Sequence, residues 1–312
     1  MKKRTLLTYG FYEFCLHVHK GLILLSNLLK RVAAIHDISC FGKCSLTVAL
    51  PVISSAGVEV SVIPTAMLST QTGGIDGYTF HDLTDDIVPV ADHWKSLGLK
   101  FDAVYTGFLG SFQQIAVVSD VTDKLSGEDT MIIVDPVLGD CGELYSVFDE
   151  RFPAEMKKLC MKADVIVPNM TEAFLLLSMP YVKGPYDFDF VSDLMKKLSE
   201  LGPEKIVLTG VESENDLIGT SFFDKKTGEC QSYMKKRIND RFHGSGDVFA
   251  SVLTACLVKG LNLKDSAKIA SDFTYDCLIR TKKAGTDLRF GVNFEDGLHC
   301  LYNIINNHDN NT

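Results

Sequence analysis

The chain has nine cysteines but no C-x-x-C pair, and the closest two, Cys40 and Cys44, stand four positions apart. That absence, with the odd count, excludes a disulfide framework and a structural zinc site. It points to a reducing, cytoplasmic setting in which most of these thiols serve as small buried hydrophobes. No basic stripe with interleaved aromatics occurs, and 31 Lys and Arg face 40 Asp and Glu for a formal charge of −9. Nucleic acid is thereby set aside as a partner. The apolar run Gly21-Leu22-Ile23-Leu24-Leu25 is too short to span a bilayer, and no small-residue cleavage site follows it. No membrane partner is expected. No linker, low-complexity tract or internal repeat interrupts residues 31–305, so one domain is expected there. No Gly-x-Gly-x-x-Gly follows the first apolar strand, which argues against a dinucleotide-dependent oxidoreductase.

What is present is ordinary for a soluble globular chain: 312 residues, 46% apolar and 23% charged, enough to bury a substantial core. Residues 1–30 read as an extension, or as the product of a start codon assigned too far upstream, with the fold beginning at Arg31. Residues 306–312 read as a polar, frayed tail. Between them, β-rich runs alternate with helical patterns. Strands are expected at 32–35, 58–63, 103–105, 131–134, 165–167 and 205–208, then an antiparallel pair at 217–223 and 231–235. Helices are expected at 45–55, 82–97, 113–125, 154–161, 172–177, 190–201, 246–257, 263–280 and 294–305. This alternation implies right-handed crossovers and a mostly parallel sheet covered on both faces, an α/β/α sandwich. The near-continuous apolar strands suit such a buried sheet.

In open α/β sheets the ligand lies off the carboxyl ends of the strands. That rule gathers Asp37, Gly107, Phe108, Asp135, Asp140, Asn169, Glu172, Thr209 and Gly210 into one crevice, at the ends of five of the apolar runs. Asp135-Pro136-Val137-Leu138-Gly139-Asp140 sets two carboxylates across a loop, hard ligands that suit Mg²⁺. An acidic turn with Asp140 as a helix cap is the plainer alternative. In Pro168-Asn169-Met170-Thr171-Glu172, Asn169 or Thr171 can cap a helix while Asn169 and Glu172 face metal and phosphate through water.

Gly244-Ser245-Gly246-Asp247 runs straight into a helical apolar pattern. Glycines free the backbone N–H groups and a helix N-terminus adds partial positive charge, which suits a phosphate. An acid there repels phosphate, unless Asp247 takes a proton from a hydroxyl during phosphoryl transfer. Taken alone, the four residues also fit a loop followed by a first-turn acid. The polar stretches 36–45 and 69–74 would lie across the crevice, where an acceptor could sit. His36, His81 and His243 read as structural or surface histidines, with His243 abutting the turn. The insert after Ile63 is too short to build a large lid.

Gly244-Ser245-Gly246-Asp247, Asn169-x-x-Glu172 and Asp135-Pro136-Val137-Leu138-Gly139-Asp140 resemble the ribokinase superfamily, and within it the pyridoxal kinases. Thr106-Gly107-Phe108-Leu109-Gly110 and Ser69-Thr70-Gln71-Thr72-Gly73 strengthen the resemblance, in the family's order, over residues 31–305. It implies an ATP-dependent kinase that phosphorylates the 5′-hydroxymethyl group of pyridoxal, pyridoxine or pyridoxamine. It also implies Asp247 as catalytic base and Gly244, Ser245 and Gly246 as an anion hole. Asp135 and Glu172 would serve Mg²⁺, with Asn169, Glu172, Thr209 and Asp140 on the nucleotide phosphates. Asp37, Thr72 and Phe108 would hold the pyridine ring. Many members use K⁺, and homodimers are usual. Asp37 stands where animal relatives carry Ser, and Phe108 where they carry Tyr. Ser245 replaces the commoner Thr and keeps its hydroxyl. A hydroxymethylpyrimidine (phosphate) kinase is the nearest alternative, and a non-catalytic vitamin or nucleotide sensor is one of another class.

Overall fold

The computed structural model describes residues 29–308. Most of the expected extension (residues 1–28) and the end of the tail (309–312) lie outside the described residues. Among the described residues, the first strand is β1 (Arg31–Ser39).

β1 is buried along nearly its whole length and pairs in parallel with β2 (Glu59–Leu68) on one side and β4 (Ala103–Thr106) on the other. Parallel pairing continues through β5 (Met131–Val134), β8 (Val165–Ile166) and β9 (Lys205–Ser213). Antiparallel strands finish both edges: β10 (Leu217–Asp224) and β11 (Glu229–Lys236) beyond β9, and β3 (Phe80–Asp82) beside β2. The spatial order is β11-β10-β9-β8-β5-β4-β1-β2-β3. A separate two-stranded hairpin, β6 (Gly139–Asp140) and β7 (Glu143–Leu144), rises from the loop after β5.

Helices cover both faces, as expected of an α/β/α sandwich. One layer contains α1 (Leu46–Ser55), α7 (Ser245–Val258), α8 (Leu263–Ala284) and α9 (Leu298–His308). The other contains α2 (Thr84–Ser96), α3 (Phe112–Leu125), α4 (Phe152–Cys160), α5 (Met170–Leu176) and α6 (Phe188–Ser199). Strand residues alternate between the two cores: Val32 and Tyr105 face the first, Ala33 and Val104 the second.

Three details differ from the sequence reading. β1 runs on through His36 and Asp37 to Ser39, and β9 through Thr209 and Gly210 to Ser213. Asp37 and Thr209 are therefore strand residues, because backbone pairing continues across the polar residues that interrupt the apolar runs. The segment after Ile63 extends β2 and returns as β3, widening the sheet edge. The last helix starts at Leu298, after a short 3₁₀ turn, Glu295–Gly297.

From β1 the chain proceeds to β2 on one side and β4 on the other. The crevice of such a sheet opens where the order reverses, off the carboxyl ends of β1 and β4.

Candidate active site

The turn before α7 is held by geometry that only glycine tolerates. Gly244 has φ +74°, and a methyl group on it would lie 2.0 Å from the Lys43 carbonyl oxygen. With Gly244 at the helix cap, the N–H groups of Ser245, Gly246 and Asp247 belong to the first turn and have no partner within the helix. Such groups, backed by the helix dipole, suit an anion. Asp247 stands in the same turn, half-buried. Burial, and secondarily the nearby Asp37 charge, push its carboxyl up to about 7, against a pull from the Ser45 backbone N–H.

Asp135, nine-tenths buried at the end of β5, has its carboxyl raised well above the usual range by burial and by the charges of Glu172 and Asp247. Glu172 is buried as well and is pushed up to about 7, mainly by desolvation. Backbone donors hold both of its oxygens. Leu138 N–H donates to Oε1 at 2.9 Å and Asn169 N–H to Oε2 at 2.8 Å. Glu172 thus staples α5 to the 135–140 loop. Asn169 caps α5 and donates through Nδ2 to the Gly139 carbonyl at 2.8 Å. Thr209 lies beside Asn169 across a parallel bridge, its N–H donating to the Pro168 carbonyl. Asp140 is half-buried and paired at 3.0 Å with Arg241, just ahead of the phosphate turn.

Among the described residues, no Lys or Arg forms an ion pair with Asp135, Glu172 or Asp247, and no cluster of three His, Cys, Asp or Glu side chains could hold a metal alone. The crowded, uncompensated carboxylates fit a hard divalent cation that takes few protein ligands and shares phosphate oxygens. Asp135, its carboxyl also held by the Val137 backbone, would ligate it directly. Glu172, with both oxygens on backbone donors, would reach it through water.

On the acceptor side, Asp37 is buried at the end of β1. It accepts from the Ser45 hydroxyl at 2.5 Å and the Ser39 hydroxyl at 3.2 Å. Burial raises its carboxyl above the usual value and those hydroxyls oppose the shift. Phe108 is half-buried, its ring 5.7 Å from that of Phe148. Thr72 is exposed, in a loop tied by Gln71 to the Gly73 and Arg289 carbonyls. The ring of His243 lies over Gly73, so the phosphate turn and the Thr72 loop touch. Of the other two histidines, His81 is exposed and His36 is fully buried, its imidazole depressed to about 3 by desolvation.

The five carboxylates and the glycine turn thus meet at one end of the sheet, while Thr72 and Phe108 stand at its rim. Sequence reasoning left Arg241 and Tyr105 without roles. Tyr105 is fully buried beneath the crevice, where burial, Asp135 and Asp247 all disfavour its phenolate. Arg241 had a weak signal, a cation just ahead of the glycine turn, though Lys235, Lys236 and Arg237 precede it. Tyr105 had none, since a tyrosine in an apolar strand reads as core.

A sequence model of the phosphomethylpyrimidine kinase family matches residues 49–290. Pyridoxal kinase from Vibrio campbellii is 26% identical over 271 residues, 82% of this chain and 90% of the relative. A Bacteroides thetaiotaomicron protein described as a phosphomethylpyrimidine kinase, solved with pyridoxal, superposes with a TM-score of 0.83 at 37% identity, over 88% of this chain and 96% of that one. Pyridoxal kinase from Lactobacillus plantarum gives 0.81 at 31% identity, over 90% and 99%.

Proposed function

This chain belongs to the phosphomethylpyrimidine kinase family, and we propose that it is an ATP-dependent pyridoxal kinase, phosphorylating the 5′-hydroxymethyl group of pyridoxal, pyridoxine or pyridoxamine. The observation that carries the reading is the placement of Asp247 in the first turn of α7. It is an acid whose proton affinity is raised to near neutrality, beside three unpaired N–H groups. A base is most useful when its pKa lies near the working pH, and such an acid meets that condition.

Asp247 accepts the proton of the acceptor hydroxyl as its oxygen attacks the terminal phosphorus of ATP in line. The N–H groups of Ser245 and Gly246 take the charge that grows on the equatorial oxygens. Gly244 keeps those groups aimed at the phosphate. Bound Mg²⁺ would supply neutralisation of the phosphate oxygens, held by Asp135 directly and by Glu172 through water. Asn169, Thr209 and Asp140 line the nucleotide side; Asp37, Thr72 and Phe108 line the acceptor side. Little covalent chemistry falls to the protein, so positioning and electrostatics supply most of the rate. A homodimeric assembly, a cytoplasmic setting and a K⁺ requirement go with this reading, supported by the family resemblance.

The family description and the Bacteroides relative's name favour one second reading, phosphorylation of a hydroxymethylpyrimidine or its phosphate. Release of ADP by the full chain with MgATP and K⁺ tests both, with pyridoxal, pyridoxine, pyridoxamine and hydroxymethylpyrimidine in parallel. Turnover on a B6 vitamer is the expected result. Turnover on the pyrimidine alone would transfer the protein to the second reading, and binding of ATP without ADP release on any acceptor would leave a sensor.

A further inference from the structure

Ser45 breaks three local rules at once. Its backbone sits at φ +50°, ψ −131°, a region that suits glycine and costs any residue with a Cβ. It occupies the N-cap of α1, yet its side chain makes no capping hydrogen bond. A capping serine ordinarily accepts from the N–H two or three residues on, so its hydroxyl has been turned away from the helix it begins. It is also buried, at 6% exposure.

The hydroxyl goes to Asp37, donating to Oδ1 at 2.5 Å, while Ser39 serves the other oxygen. The Ser45 backbone N–H is near enough to Asp247 to oppose the rise that burial gives that carboxyl. The same segment presses on the phosphate turn, where the Lys43 carbonyl occupies the space a side chain at Gly244 would need. Lys43 is itself fixed from behind, its N–H donating to the Phe290 carbonyl at 3.1 Å. One residue therefore holds Asp37 through its hydroxyl, while its own flank is anchored against the turn that carries Asp247. Backbone strain at a crevice persists when the surroundings over-determine it, and a glycine here would lower the strain but abolish the hydroxyl.

We propose that Ser45 is a positioning residue that sets Asp37 and Asp247 at a fixed separation, so that the acceptor held at Asp37 presents its hydroxyl to the base. The inference rests on the kinase reading of the site. A buried carboxylate that loses a charge-assisted donor reorients or takes up a proton, and either change loosens the acceptor without touching the nucleotide pocket.

The test compares Ser45→Gly and Ser45→Ala with the parent chain in melting temperature, kcat, and KM for pyridoxal and for ATP. Ser45→Gly keeps the N–H, relieves the backbone and removes the hydroxymethyl group, whereas Ser45→Ala removes the hydroxyl alone. Ser45→Gly is expected to melt no lower than the parent while kcat/KM for pyridoxal falls about tenfold or more, the loss expected from one hydrogen bond to a charged group. KM for ATP should stay within about twofold of the parent, on the same reasoning of a local loss. Ser45→Ala should show the same kinetic loss with a lower melting temperature, since Ala keeps the strain. In an Asp37→Asn background, Ser45→Gly should add little further loss, because the hydroxyl acts through that carboxylate. Parent-like kcat/KM in Ser45→Gly, or activity that merely follows stability across both variants, would overturn the proposal. A parent chain with no turnover on any acceptor would instead sink the kinase reading, and the proposal with it.

Discussion

Asn169 and Glu172 satisfy each other's backbone. The Asn169 side chain accepts from the Glu172 N–H at 3.0 Å, and the Glu172 carboxylate accepts from the Asn169 N–H at 2.8 Å. The second Glu172 oxygen, on Leu138 N–H, extends this capping box into a joint between α5 and the carboxylate loop. Glu172→Gln turns one acceptor into an NH₂ that faces a backbone donor. We expect it to cost on the order of 1–3 kcal/mol, the penalty of a buried unsatisfied donor, and to lower the melting temperature by several degrees. The loop carrying Asp135 should loosen with it, so kcat should fall more than the stability loss alone explains. A calorimetric scan with steady-state kinetics on the same preparation checks both. An unchanged melting temperature would show that the joint carries no stability.

Asp247 makes opposite predictions for activity and stability. Its carboxyl is raised from an ordinary 3.8 to about 7. The folded chain therefore keeps a proton there between about pH 4 and 7 that the unfolded chain has lost. The stability this group contributes is full below pH 4 and is lost as pH rises through 7. Asp247→Asn, which mimics the protonated acid, should raise the melting temperature at pH 8 by a few degrees, with the gain shrinking toward pH 5. Turnover should fall by about 10²–10⁴-fold, the usual worth of a general base. In the parent chain, kcat/KM should decline as pH falls below about 7. A flat profile from pH 5 to 8, or near-normal turnover in the Asn variant, would remove Asp247 as the base.

The parallel strands were legible because burial on both faces makes them plain apolar runs, as in Met131–Val134. β3 was not, since all three of its residues are exposed and it forms only by pairing with the end of β2. The ends of β1 and β9 were missed for a related reason: hydrogen bonds continue across the polar residues that interrupt the apolar runs. Among site residues, the carboxylates and the glycine turn could be read because each ends an apolar run or opens one. The Asn169-x-x-Glu172 spacing even announced its capping box. Ser45 and Arg241 could not be placed, because tertiary contacts fix them. A left-handed φ at a serine has no sequence signature, and the partner of Arg241 lies 101 positions away.

Gly107 follows β4, and a methyl group built on it would stand 2.1 Å from Nδ1 of His36 and 2.5 Å from its Cε1. The His36 ring has no room to yield. It is fully buried and meets Tyr105 edge-on at 4.4 Å between centroids. Gly107→Ala should therefore cost about 1–3 kcal/mol, as overpacking of a closed core does. The loss should be smaller in a His36→Ala background, where the obstructing ring is gone. Additive effects in that double-mutant cycle would show that the backbone, rather than the imidazole, requires the glycine.

Arg241 and Asp140 keep 65% and 41% of their side-chain surface exposed, so their 3.0 Å pair should add little to stability. Its place matters more. Asp140 pairs with a residue three positions ahead of Gly244, and in the proposed kinase an unpaired carboxylate there would repel the phosphates of ATP. Arg241→Ala should leave the melting temperature unchanged while raising KM for ATP by about three- to tenfold at low ionic strength, an effect that salt should shrink. Asp140→Asn placed in the same chain should restore much of the affinity, because it removes the charge that Arg241 had masked. If the double variant binds ATP no better than Arg241→Ala, the guanidinium must contact the phosphates itself, and masking is not its role.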